Sequence, residues 1–224
     1  MLLILDYLTS VRYNVPNTCY VRWGNMSDTR EKILSVSLEL FSRQGSEAVS
    51  IRDICARVGI RESSVYYHFT SKQAIFDELL ARFESRAAEM MARLESALDE
   101  GARPDAAGLM SVCGHFFDGY LMEPFCNGVL RLLTIEQFSS LKARSLYRRW
   151  MFDEPLAYQT RLFAALTNRA DASYLAVKFY SPIYLYAQRW LLCGPLSDGD
   201  RAAFRADAYR HVRRFFAELE VRNG

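Results

Sequence analysis

From Asp28 onward, apolar residues recur at steps of three and four, the spacing of one helix face. Ile33, Leu34, Ser37, Leu40 and Phe41 share a face, and Gly45 offers a left-handed stop. Ser50 with Asp53 three residues on is a capping box. It opens a short helix that turns Ile54, Cys55 and Val58 inward and ends at Gly59. After Ile60 a second short helix runs through Ser63, Ser64, Val65, Tyr66 and Tyr67. Thr70 with Gln73 predicts another capping box and a long helix behind it. The stripe of that helix is Phe76, Leu79, Leu80, Phe83, Ala87, Met90, Met91, Leu94 and Leu98, with Gly101 and Pro104 as its stop. Further helices are predicted near 105–121, 124–140, 143–166, 171–192 and 199–220, with breaks at Pro124, Lys142, Asn168 and the Cys193-Gly194-Pro195 turn. No useful strand-like alternation and no internal repeat interrupts this, so the predicted fold class is all-α.

Residues 1–26 carry Tyr7, Tyr13, Pro16, Tyr20 and Trp23 without a helical period. They read as a disordered leader or a misassigned start, with Met26 as the alternative first residue. A competing reading is an arm that reaches DNA through Arg12 and Arg22. The predicted domains are therefore the leader 1–26, a DNA-binding module 27–72 and a larger helical domain 73–224.

Composition changes this picture little. Of the 224 residues 50% are hydrophobic and 24% charged, a globular balance that excludes a disordered chain. A net charge of +2 neither supports nor opposes nucleic acid, so any such function must come from local pattern. Cys19, Cys55, Cys113, Cys126 and Cys193 form no CxxC pair, which reads as reduced thiols in a cytoplasmic protein. The apolar run Met1–Leu5 is too short for a membrane span and lacks a basic start, so no membrane partner is expected.

The informative stretch is Ser50 to Lys72, SIRDICARVGIRESSVYYHFTSK. Two short helices around a glycine turn make a helix-turn-helix, whose second helix must expose short polar residues to enter a major groove. Arg61, Glu62, Ser63 and Ser64 provide that tip. Here the sequence resembles the TetR family of bacterial transcriptional repressors. The match lies in ILSVSLELFSRQG, SIRDICARVGI and SSVYYHFTSKQAIFDELL, over roughly residues 29 to 80; the YYHF-x-x-K run into a long helix is its most specific part. The resemblance implies a phosphate contact at Ser50, a groove-facing contact at Arg52, and base-edge contacts at Glu62, Ser63 and Ser64. It further implies backbone and groove contacts at Tyr66 and Tyr67, a phosphate clamp at Lys72, and buried His68 and Phe69. Cys55 replaces a usual alanine and reads as packing. Asp28 to Lys72 carries only a net +1, so affinity is expected to rest on a few placed contacts.

The resemblance also implies a homodimer, a double-stranded pseudo-palindromic operator and a small-molecule effector held in the C-terminal helices. Its signal would pass through the long helix from Gln73 to Leu98. Candidate effector-lining residues are Phe117, Tyr120, Trp150 and Phe179, which suit an apolar, planar or cationic molecule. Candidate dimer residues, expected on exposed or partly exposed stripes, are Tyr180, Tyr184, Ala187 and Leu191 with Phe204, Ala208, Val212 and Phe215. One alternative is a DNA-binding regulator governed by a protein partner, or an activator, without an effector. A remoter one is a helical-bundle enzyme, but His68, His115 and His211 fit no metal or catalytic motif, and no cofactor or metal is expected.

Overall fold

The computed structural model describes residues 29–99, 106–167 and 169–223. The proposed leader, Cys19, the Gly101–Pro104 stop and Asn168 lie outside them. The described residues form helices joined by short turns, with no strand. The helices are α1 (Thr29–Gln44), α2 (Ile51–Val58), α3 (Glu62–His68) and α4 (Lys72–Asp99). Then come α5 (Ala106–Phe116, running on as a π-helical turn Phe117–Leu121) and α6 (Pro124–Glu136). Helix α7 joins Leu141–Arg148 to Glu154–Thr167 through a π-helical turn, Arg149–Asp153. Helix α8 (Ala172–Tyr186) continues as a π-helical turn, Ala187–Leu192, and α9 spans Asp198–Asn223.

Two predicted boundaries move. The side chain that caps α4 is Ser71, whose Oγ accepts from Ala74 N at 3.1 Å, not Thr70. The break after α6 falls at 137–140 rather than Lys142. Ser139 and Ser140 return their N–H groups to the Glu136 carbonyl, and Ser140 Oγ then caps α7 by accepting from Ala143 N.

Helix α6 is the axle of the molecule. Phe125, Cys126, Val129, Leu130, Leu132 and Leu133 are buried on one side and Asn127, Gly128 and Arg131 on the other, so it is enclosed all round, as a core helix must be. It packs against α1, α4, α7 and the turns after α5 and α8. The approach to α1 is close at Gly128, where a Cβ would stand 3.1 Å from the Leu38 side chain.

The π-helical turns leave backbone carbonyls for side chains to use. Asn127 Nδ2 on α6 donates to Leu121 O and Leu191 O, one in each of two π-turns. Tyr120 Oη donates to Trp150 O at 3.2 Å and Tyr180 Oη to Met151 O at 2.8 Å, both in the third. Burial drives both tyrosine pKa values up, which keeps these hydroxyls as donors.

Gly128→Leu is expected to cost about 1–3 kcal/mol or more by overpacking against Leu38. Gly119→Ala, with nothing within 4 Å of the new methyl, is expected to be neutral or stabilising. Urea unfolding of the two variants checks this; equal midpoints would refute the close approach.

Candidate nucleic-acid interface

The reading helix is positioned by very few contacts. Ser50 caps α2 in a full capping box: its Oγ accepts from Asp53 N, and Asp53 Oδ2 accepts from Ser50 N at 2.8 Å. The Ser50 hydroxyl and amide hold the Asp53 carboxyl below its ordinary pKa. Helix α2 ends at Gly59, whose φ of +80° is the left-handed conformation that favours glycine. The N–H groups of Gly59 and Ile60 both return to Cys55 O. The chain then turns into α3, where Val65 alone is buried. Phe69 just beyond it is buried too, with the Arg30 guanidinium 4.9 Å from its ring centre.

Everything else on α3 is left outward or nearly so. Arg61, Glu62 and Ser63 are exposed and Ser64 is half-buried. Tyr66 is 52% and Tyr67 85% exposed, large aromatic surfaces with no packing role of their own. His68, expected to be buried, is only half-buried and meets the Tyr67 ring edge-on. Arg52 on α2 and Glu62 on α3 form an ion pair at 3.0 Å, so two residues assigned separate roles in DNA contact hold each other in the free protein.

This reading unit is fixed to the larger domain at three places. Arg82 on α4 grips Glu31 on α1 bidentately, at 2.7 Å for each bond, and also reaches Glu78, which pairs with Arg30. Arg131 on α6, buried and with its pKa lowered by burial and by Arg43, donates to Ser42 O at the end of α1. The third place is the turn after α1. Ser46 N and Oγ donate to Glu136 Oε1 at 2.6 and 2.8 Å, and Lys72 Nζ donates to Ser46 O at 2.7 Å. Lys72 therefore spends one of its three N–H bonds inside the protein. Ser46, Arg131 and Glu136 did not stand out in the sequence. Their one signal is a pair of charged residues inside an otherwise apolar helix.

The remaining candidates divide. Phe117 and Phe179 line a cavity of about 40 Å³ between α4, α5, α7, α8 and α9. Tyr120 and Trp150 do not. Tyr120 stacks on Phe83, and Trp150 is sealed in the π-turn whose carbonyl Tyr120 uses. The expected dimer stripes are also corrected. Tyr180, Ala187, Leu191, Phe204, Ala208, Val212 and Phe215 are buried within the chain, and half-buried Tyr184 packs on Phe152 and hydrogen-bonds Tyr147. They are the seam between α8, α9 and their neighbours. The apolar side chains that α8 does expose are Tyr174, Val177 and Leu185. Among the described residues no cluster is suited to a metal ion, and no helix is long and apolar enough to cross a membrane.

A short polar helix held outward by a glycine turn and two apolar anchors defines a helix-turn-helix DNA-binding regulator. A family model described as bacterial regulatory proteins, tetR family, matches residues 33–79, from α1 into α4. The HTH-type transcriptional repressor KstR2 of Mycobacterium tuberculosis is 33% identical over 172 residues, covering 71% of this chain and 84% of that protein. The chain belongs to the TetR family. Solved structures share its fold. A TetR-family regulator from Mesorhizobium loti superposes with a TM-score of 0.59 at 19% identity, covering 87% of this chain and 98% of that one. SmeT, the repressor of the Stenotrophomonas maltophilia multidrug efflux pump SmeDEF, gives 0.57 at 18%, covering 87% and 92%.

Glu136→Ala would leave two buried donors of Ser46 without an acceptor, an expected loss of about 1–3 kcal/mol. Glu136→Gln, which retains an acceptor oxygen, should lose less. Urea titration distinguishes them; no loss in either variant would mean that Glu136 is not what holds this turn.

Proposed function

We propose that this protein is a homodimeric transcriptional repressor that leaves a pseudo-palindromic operator when a small molecule enters the cavity beside α4. The observation that carries the reading is the continuity of α4. Its first residue, Lys72, is bonded to the DNA-reading unit, and further along Met91 and Leu94 line the cavity. At about 40 Å³ the cavity is far smaller than a cofactor-sized pocket of roughly 300–1,000 Å³. A ligand must therefore widen it, and α4 forms one wall. Binding selects a conformation in which α4 has shifted, and the ligand acts only through its difference in affinity for the two states. Repression as the sign of control is supported by the relative named a transcriptional repressor.

Within the reading unit, Lys72 and the Ser50 hydroxyl serve phosphates, and Arg52 faces the groove that the tip from Arg61 enters. Glu62, Ser63 and Ser64 meet base edges, and Tyr66 and Tyr67 press on the backbone and groove wall. The Arg52–Glu62 pair must open for both residues to reach DNA, so in the free protein it holds the two side chains near their working positions. Two copies pair through the outward face of α8, where Tyr174, Val177, Ser181 and Leu185 follow one another at steps of three and four. On α9 the exposed small residues Ala202, Ala206 and Ala217 allow close approach. A two-fold there sets the two α3 helices roughly 34–36 Å apart, one turn of DNA. The protein acts by binding rather than by catalysis.

Footprinting on DNA flanking its own gene, with and without candidate compounds, tests the whole reading. A protected palindrome that no compound removes would favour control by a protein partner. Tyr67→Ala should weaken DNA binding without moving the unfolding midpoint, since the ring is exposed. Lys72→Ala should weaken binding across sequences and reduce the salt slope by about 1. Leu185→Glu should turn a dimer into a monomer in sedimentation and lower operator affinity with it; an unchanged dimer would move the interface off this face.

A further inference from the structure

The cavity between α4, α5, α7, α8 and α9 has a chemistry that narrows what it can hold. Its walls are Met91 and Leu94 from α4, Leu109, Val112, Cys113, Phe116 and Phe117 from α5, and further apolar side chains from α7 to α9. Among the described residues, no Lys, Arg, His, Asp or Glu lines it. A charged ligand would lose its hydration there and meet no opposite charge, a cost that binding seldom recovers. The thiol of Cys113 supplies no charge either, because burial pushes its pKa up to about 12.

A buried side-chain amide breaks the apolar wall. Gln159, on the second half of α7, is only 8% exposed and lines the cavity, and its Oε1 is buried with no hydrogen-bond partner among the described residues. Leaving such a group unmatched is unfavourable, and of the three buried side-chain atoms without a partner among the described residues, the others being Ser37 Oγ and Trp150 Nε1, only that of Gln159 belongs to a residue lining the cavity. The buried amide of Asn127, by contrast, bridges two π-turn carbonyls. A side-chain amide can present its oxygen or its nitrogen with little change of shape. A hydroxyl, which both donates and accepts, satisfies either.

We infer that the cavity receives a neutral, mainly hydrocarbon molecule bearing a hydroxyl, and that Gln159 is the residue that reads the hydroxyl. The inference rests on the reading of this cavity as the effector site and names the class of effector. The apolar walls supply most of the affinity through burial of ring or chain surface. Gln159 supplies selectivity. A hydrocarbon lacking the hydroxyl leaves the amide unmatched, and a carboxylate brings a charge the walls cannot balance. Tyr158, whose pKa is raised chiefly by burial, brings a hydroxyl to the wall and remains neutral beside such a ligand.

The test uses the full chain and two matched triplets, titrated by calorimetry: 4-cyclohexylphenol, cyclohexylbenzene and 4-cyclohexylbenzoate, and 2-naphthol, naphthalene and 2-naphthoate. In each triplet the hydroxyl compound should bind the wild-type protein at least about tenfold more tightly than the hydrocarbon, with the carboxylate weakest. Gln159→Leu should bring the hydroxyl compound down to the level of the hydrocarbon while hydrocarbon binding is kept or improved, which also shows that the variant is folded. Equal binding of hydroxyl compound and hydrocarbon to wild type, tightest binding of a carboxylate, binding of no compound, or indifference to Gln159→Leu would overturn the inference. Repeating the titrations on protein bound to its own upstream DNA separates the two ideas. Gln159-dependent binding that leaves the DNA in place would uphold the ligand class and sink the effector reading. Release of DNA that ignores Gln159→Leu would do the reverse.

Discussion

Three helices meet at one buried serine. Ser46 sits in the turn after α1, gives both its N–H and its hydroxyl to Glu136 at the end of α6, and takes the ammonium of Lys72 at the start of α4 on its carbonyl. Neither partner is a casual surface contact. A carboxylate buried to this degree is tolerated only when its oxygens are hydrogen-bonded, and Ser139 occupies the second oxygen of Glu136. The turn also needs Gly45, which adopts φ +82° and lies 3.2 Å from the Ile135 side chain in the position a Cβ would take. This small cluster therefore fixes how the reading unit sits on the rest of the molecule. Helix α3 can then be almost wholly outward, because its orientation is inherited from the parts around it and secured by Val65 and Phe69.

On the proposed function, the same cluster is where a distant cavity would act on the reading unit. A packed interior does not deform continuously, so a ligand larger than the space at hand selects a different packing. Two routes lead from the cavity wall toward Ser46. One is α4 itself, stiffened along its first turns by the Arg82–Glu31–Glu78–Arg30 network. The other runs from the π-turn after α5 through Asn127 into α6, and so to Arg131 and Glu136. Phe117, which lines the cavity, opens that π-turn. Reversing a 99:1 preference takes about 5.5 kcal/mol of differential affinity, about a 10⁴-fold ratio. Burial of a ring system in an apolar cavity, together with matching one buried amide, is of that order.

How much of this is legible in the sequence depends on whether an element has one polar face. Helices α1 and α4 do, and the three-and-four spacing locates them to within a residue or two. The reading unit is legible for a different reason: the Ser50–Asp53 cap and the positive φ at Gly59 are local chemistry, decided within a few residues. Helices α8 and α9 defeat the same approach. Helix α8 carries Leu175, Phe179 and Ile183 on one face and Tyr174, Val177 and Leu185 on another. Periodicity then finds two apolar stripes and cannot say which faces inward, which is why Tyr180, Ala187 and Leu191 look like surface in the sequence. Arg131 and Glu136 are hidden by distance, since their partners lie 89 and 90 residues away. Tyr120 and Trp150 were misplaced because a π-turn shifts every following side chain around the axis, and nothing local announces one.

The charge of the reading unit, nearly neutral in the sequence, is further committed in the structure. Arg43 and Arg57 both pair with Glu39, Arg52 pairs with Glu62, and Arg30 pairs with Glu78. One such unit can neutralise few phosphates without first breaking bonds to itself, and a protein that releases few counterions binds a single site weakly. Weak single contacts make pairing decisive. When two copies share a rigid two-fold, the second contact is made at high effective concentration, and the product of two modest affinities becomes a useful one. That gain disappears when the spacing between copies no longer matches the DNA. A regulator assembled from such units has no need to hide or unfold its reading helix to let go. On the proposed dimeric reading, a change of a few ångströms in how α4 meets its neighbours would remove the second contact, and the first alone would not hold.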